Sequence, residues 1–143
     1  MLKACSLALC LALLVLGTSA CQPDHDPFLG VTLSSRGTVV LVLSRCDYGP
    51  LVSQYLARDR GAVDSGDDEI LWTSKAETSE LETDTGVQAA NLKSGRYYVA
   101  AYAKRGYKDD EAVDLQELDE NTVLLNHKRH DRYEISEGRI GCG

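Results

Sequence analysis

Between Thr38 and Ser44 the chain reads Thr-Val-Val-Leu-Val-Leu-Ser, β-branched and almost wholly apolar. A run of this kind is expected of a strand buried on both faces. It stops at Arg45-Cys46-Asp47-Tyr48-Gly49-Pro50, a cluster of turn formers. A strand covered on both sides needs neighbours, and the chain supplies them in short pieces. Leu51 to Arg58 is a second strand candidate, Ile70-Leu71-Trp72-Thr73 a third, and Val87 to Leu92 a weaker one. Arg96 to Arg105 alternates, with Tyr98, Ala100 and Tyr102 on one face and Tyr97, Val99, Ala101 and Ala103 on the other. Val123-Leu124-Leu125 and Tyr133-Glu134-Ile135 complete the set. Gly61 to Glu69 reads as an acidic loop, and Lys75 to Gly86, rich in Glu and Thr, as an exposed edge or loop. Only Glu111 to Asn121 is left as helix, and its apolar residues fit neither period well. About seven short strands separated by turn signals predict an all-β antiparallel sandwich.

The first twenty residues lie outside that pattern. Lys3 supplies a positive charge, an apolar run follows through Leu16, and Gly17-Thr18-Ser19-Ala20 leads into Cys21. These are the charged, apolar and small-residue parts of a secretory signal. The apolar run is shorter than the ~20 residues of a membrane span. Cysteine directly after the small-residue site resembles the lipobox of bacterial lipoproteins. In that family the thiol is diacylated before the leader is removed, which implies lipidation at Cys21. Ordinary signal peptidase acting at Thr18-Ser19-Ala20 is the other reading of the same residues. Of the five cysteines, Cys5 and Cys10 leave with the leader, so Cys21, Cys46 and Cys142 remain. Three is an odd number for an exported chain. Lipidating Cys21 leaves Cys46 and Cys142 as one pair, in a compartment where disulfides persist. Their bridge would close a loop of 142 − 46 = 96 residues, worth about 4–5 kcal/mol in the chain-entropy model.

Without residues 1–20 the chain keeps 123 residues, one domain's worth, with 14 basic and 22 acidic side chains for a net charge of −8. That balance argues against nucleic acid and against electrostatic attraction to anionic lipid, because both require basic surface. Membrane attachment would come from the acyl chains, of which two or more hold far better than one. Residues 21–30, with Pro23, Pro27 and alternating acidic residues, read as the lipidated N-terminus and a short tether. The sandwich domain is expected over residues 31–143. Gln22 rather than Asp after Cys21 favours the outer membrane where the host has one.

Leu92-Lys93-Ser94-Gly95-Arg96-Tyr97 resembles the turn-then-tyrosine entry to the sixth strand of immunoglobulin-like domains. There a tyrosine hydroxyl bonds back to the preceding turn. The resemblance implies an antiparallel immunoglobulin-like β-sandwich of about seven strands, with Trp72 as a core aromatic. Ser94-Gly95-Arg96-Tyr97-Tyr98 is also similar to the Ser-Gly-x-x-Tyr signature of bacterial inhibitors of animal lysozymes. In that family the Ser and Tyr, here Ser94 and Tyr98, enter the lysozyme cleft. The downstream Lys104-Arg105-Gly106 echoes a further element of the family, without the aromatic that should precede it.

Other constellations point to less. Asp64-Ser65-Gly66-Asp67-Asp68-Glu69 has oxygen density suited to calcium but lacks the spacing of an EF-hand loop. His127 and His130 lie among Lys128, Arg129 and Arg132, which oppose a divalent cation, and two histidines with no clear third ligand make a poor zinc site. No Gly-x-Ser-x-Gly elbow or phosphate-binding glycine loop occurs. No catalytic residue, metal or cofactor is therefore assigned. The sequence leads to a non-catalytic, lipid-anchored binding or structural module of the bacterial cell envelope. Its partner would be an envelope protein, a glycan or a small molecule; the alternative is an inhibitor of a host lysozyme or a related hydrolase.

Overall fold

The computed structural model describes residues 29–44, 49–60, 69–106 and 108–136. Cys21, Cys46, Cys142 and the run Asp64–Asp68 lie outside these residues. So do the leader, the lipobox and the expected disulfide.

Nine strands form among the described residues: β1 (Leu29–Leu33), β2 (Thr38–Leu43), β3 (Leu51–Arg58), β4 (Glu69–Ser74), β5 (Glu82–Gln88), β6 (Arg96–Ala103), β7 (Lys108–Asp114), β8 (Thr122–Leu125) and β9 (Lys128–Asp131). One short helix, α1 (Arg132–Ser136), follows, and single 3₁₀ turns occupy Ala89–Asn91 and Leu115–Glu117. The strands build a five-stranded sheet in the order β5-β2-β1-β8-β9 and a four-stranded sheet in the order β4-β3-β6-β7. Every pairing is antiparallel. The chain is an all-β sandwich, as its strand and turn pattern predicts.

The core lies between the sheets. Leu29 and Val31 of β1, Val39 and Leu41 of β2, and Leu124 of β8 face Leu56 of β3 and Tyr97, Val99 and Ala101 of β6 in one apolar cluster. Trp72 is half-buried against that cluster, the place expected for it. β2 is covered on its other face too. Val40 and Val42 join Val123 and Leu125 beneath Ile135 of α1 in a second cluster outside the five-stranded sheet. This is why β2 reads as apolar at every position.

Arg132 fixes that outer layer. Its guanidinium donates to Glu82 through Nε at 3.0 Å and Nη2 at 2.8 Å. Nη1 donates to the carbonyls of Leu33 and Glu120, both at 3.1 Å. One side chain thus ties the start of α1 to β5, β1 and the loop before β8.

Five local expectations change. Tyr133–Ile135 is helix, not strand: Asp131 Oδ1 accepts the Tyr133 N–H at 2.7 Å and starts the turn. Glu111–Asn121 is not helix but the end of β7 and a 3₁₀ turn. The edge strand of the five-stranded sheet is Glu82–Gln88, drawn from the stretch read as exposed edge or loop, and Ala89–Asn91 turns away from it. Lys128–Asp131, which lies between the last two expected strands, is itself a strand. At the N-terminal boundary, Leu29 and Gly30 belong to β1 rather than to the tether.

Candidate functional site

The outer face of the four-stranded sheet carries the most ligand-like surface. β3 and β6 pair so that Tyr55 sits opposite Ala100, Ala57 opposite Tyr98, and Ser53 opposite Tyr102. β7 adds Ala112 beside Tyr98 and Lys108 beside Tyr102. Alternation along β6 sends Tyr97, Val99 and Ala101 into the core, so Tyr98, Ala100 and Tyr102 face outward. The rings of Tyr55 and Tyr98 meet edge to face with centroids 6.5 Å apart. Tyr55 and Tyr102 lie 6.4 Å apart at a 32° tilt. Lys108 Nζ stands 5.6 Å from the Tyr102 centroid, within cation–π range. Alanines between the rings keep the floor low, and exposed Ile70 borders the patch beside Ala57. Three rigid aromatic rings with polar tips on a flat sheet give a surface with a large contact area and little rotamer entropy to lose.

The loop before β6 holds the residues singled out by both resemblances. Tyr97 is 1% exposed, and its hydroxyl donates to the Lys93 carbonyl at 2.7 Å. The hydroxyl thus bonds back to the turn that precedes β6. Ser94 is exposed and helps line a cavity of about 320 Å³ at this end of the sandwich, with Leu33, Leu92, Leu115 and Gln116. Tyr98 is half-buried within β6, on the sheet face rather than in the loop. Ser94 and Tyr98 therefore belong to different surfaces.

A buried carboxylate, missed by the sequence reading, joins the two sheets at the opposite end. Glu111 of β7 is 1% exposed. Its oxygens accept the His127 N–H at 3.1 and 3.2 Å, and His127 Nδ1 lies 2.9 Å from Oε1. The backbone N–H of Asn126 also favours the charged carboxylate. Asn126 and His127 have φ of 51° and 58°, a left-handed pair that turns successive N–H groups toward one anion. His127 is thus a structural partner in the β8–β9 turn, and His130 lies in β9 opposite Val123. Among the described residues no group of three His, Cys, Asp or Glu side chains is placed to hold a metal ion. Glu69, the last of the acidic run, opens β4 and pairs with Arg60 at 3.1 Å.

Burial raises the pKa of Glu111 above the ordinary glutamate range, against the lowering effect of its bonds to the turn and of His127; nearby Asp109 raises it further. The folded chain therefore holds the Glu111 proton more tightly than the unfolded chain does. On this group's account, stability is highest below the ordinary glutamate pKa and falls as pH rises through the raised one. Glu111→Gln should remove that slope. Urea unfolding from acid to neutral pH should show the variant gaining on the parent as pH rises. A difference between the two that stays constant with pH, or moves the other way, would contradict the assignment.

Compared with protein families, with curated proteins and with solved structures, the chain finds no match.

Proposed function

We propose that this chain is a non-catalytic binding module of the bacterial cell envelope, held on the extracytoplasmic side by acyl chains on Cys21. The observation that carries the binding role is the tyrosine face, where Tyr55, Tyr98 and Tyr102 share one surface on an alanine floor. Aromatic residues of this kind dominate hot spots in protein interfaces. The leader and Cys21 support the envelope location. An immunoglobulin-like reading is supported by β1, β2 and β5 standing in one sheet against β3, β6 and β7 in the other, with the corner tyrosine at the start of β6.

Capture from detergent-solubilised envelopes by the parent chain and by Tyr98→Ala tests the role. The parent should retain an envelope protein or glycan, and the variant should bind it at least about 30-fold more weakly, the effect of a hot-spot residue worth about 2 kcal/mol. Ser94→Ala should bind normally. Capture that is unaffected at Tyr55, Tyr98 and Tyr102 alike, with each variant folded, would remove the face from the account.

Inhibition of animal lysozyme is the competing reading, and it requires Ser94 and Tyr98 to act together. With Ser94 in the loop beside the end cavity and Tyr98 on the sheet face, the expected result is negative. The domain at micromolar concentration should leave lysozyme activity unchanged. Stoichiometric inhibition that is lost on Ser94→Ala would reverse the ranking.

A further inference from the structure

The tyrosine face has a shape and a polar border that select among ligands. Tyr98 and Tyr102 are four residues apart on β6, roughly 13 Å. Tyr55 stands between them, its ring centroid 6.5 Å from one and 6.4 Å from the other. The three rings therefore form a strip along β6 rather than a round patch. Ala57 and Ala100 beneath them are fully buried, although no described element packs over this face. The rings beside these alanines thus lean across the floor and turn part of their faces outward. Tyr55 and Tyr102 share that tilt to within 32°, and Tyr98 stands across Tyr55 at 72° as a wall. Beyond the wall, at Ala112, a shallow cavity of about 440 Å³ opens between Arg96, Asp114 and His127. Buried Glu111 fixes the His127 imidazole there through the 2.9 Å contact to Nδ1. Lys108 flanks the Tyr102 end, and exposed Asp110 lies beside Ala100, midway along the strip.

Along β6 and β7 this face carries Arg96 and Lys108 against Asp110 and Asp114, so neither sign dominates it. A neutral ligand with many hydrogen-bonding groups suits such a border. A globular partner would have to desolvate Asp110 at the middle of the contact, where interfaces are depleted of charge. An extended peptide needs main-chain partners, which the edge of a sheet supplies and its face does not. A sugar chain meets both conditions. Its C–H faces pack on tyrosine rings, and the hydroxyls around its rim bond to carboxylates, lysine, arginine and imidazole. A straight strip also fits β-1,4 linkage, whose equatorial bonds extend the chain as a flat ribbon, better than α-1,4 linkage, which makes it curl. We propose that the tyrosine face binds an extended β-1,4-linked glycan lying along β6. Tyr55 and Tyr102 stack on its sugar rings, Asp110 and Lys108 hold its hydroxyls, and the Arg96–His127 cavity receives one end. The proposal rests on the reading of this face as the binding surface.

Titration of the purified protein with soluble hexasaccharides tests this. Chitohexaose, cellohexaose or both should bind saturably, and maltohexaose at least about tenfold more weakly. Binding of chitohexaose alone would point to an amino-sugar strand, and equal binding of both to a glycan read by ring and linkage. Tyr102→Ala and Asp110→Ala should each weaken the interaction about tenfold. Both positions are exposed, so their variants keep the fold, which an unchanged urea midpoint checks. Three results would each overturn the proposal: no saturable binding of either β-1,4 hexasaccharide at millimolar concentration, equal binding of maltohexaose, or binding indifferent to both substitutions. If every hexasaccharide fails while an envelope protein is captured through Tyr98, the face remains a binding surface and its glycan assignment falls.

Discussion

Tyr97→Ala should cost about 3–5 kcal/mol of stability, the usual loss for a large aromatic side chain removed from a core. Tyr97 is among the largest fully buried side chains of the domain and packs in the main cluster with Leu56, Val99 and Val113. Truncation opens a cavity between the sheets and frees the Lys93 carbonyl from its only side-chain donor among the described residues. Tyr97→Phe separates the two contributions. It keeps the ring and removes the 2.7 Å bond, so about 0.5–1.5 kcal/mol should be lost. Urea unfolding should show both losses as shifts in midpoint at constant slope. A Phe variant as stable as the parent would mean the hydroxyl does not support the corner. An Ala variant losing under about 1 kcal/mol would mean the ring is not a core element.

Gly30→Ala should be the most damaging single-methyl addition in β1. A β-carbon there would stand 2.5 Å from Val123 Cγ1 and 3.1 Å from the Leu124 carbonyl oxygen. Val123 is fully buried in the cluster with Val40, Val42, Leu125 and Ile135, so it has little room to retreat. Alanine would ordinarily gain up to about 1 kcal/mol by restricting the unfolded chain. Overpacking costs of about 1–3 kcal/mol outweigh that gain here. The strain should be specific to the pair. Val123→Ala makes space for the new methyl, so the double variant should be more stable than the sum of the single losses implies. Additive losses would show that the outer cluster is more yielding than its packing indicates.

Where one strand's own residues carried the pattern, the sequence was legible. β2 and β3 are apolar or alternating over their whole lengths, and their expected bounds agree with the observed strands to within a residue. The alternation of β6 assigned Tyr98 and Tyr102 to the same outward face, and the Leu92–Tyr97 segment pointed to the bond from the Tyr97 hydroxyl back to the preceding turn. β7 was hidden for a physical reason. Its inward positions are Asp109, Glu111 and Val113, and the first two bond to Leu29 and the β8–β9 turn instead of packing in oil. An edge strand whose buried face is polar shows no hydrophobic period. β9 was hidden because its turn is Asn-His, without the glycine that usually marks two consecutive left-handed residues. The signal for α1 was present in Asp131-Arg132-Tyr133-Glu134, which has a capping aspartate followed three residues later by glutamate.

The candidate site was only half legible for a different reason. Tyr98 and Tyr102 can be grouped from spacing along one strand, but Tyr55 joins them through the β3–β6 register. Register between strands is set by packing across the fold and cannot be read from either strand alone.

Intact-mass analysis of the protein extracted from membranes tests the central claim most directly. The account predicts a chain that begins at Cys21, carries the diacylglyceryl addition, and leaves the membrane only in detergent. A chain that begins at Cys21 with an unmodified thiol and is freely soluble without detergent would contradict it.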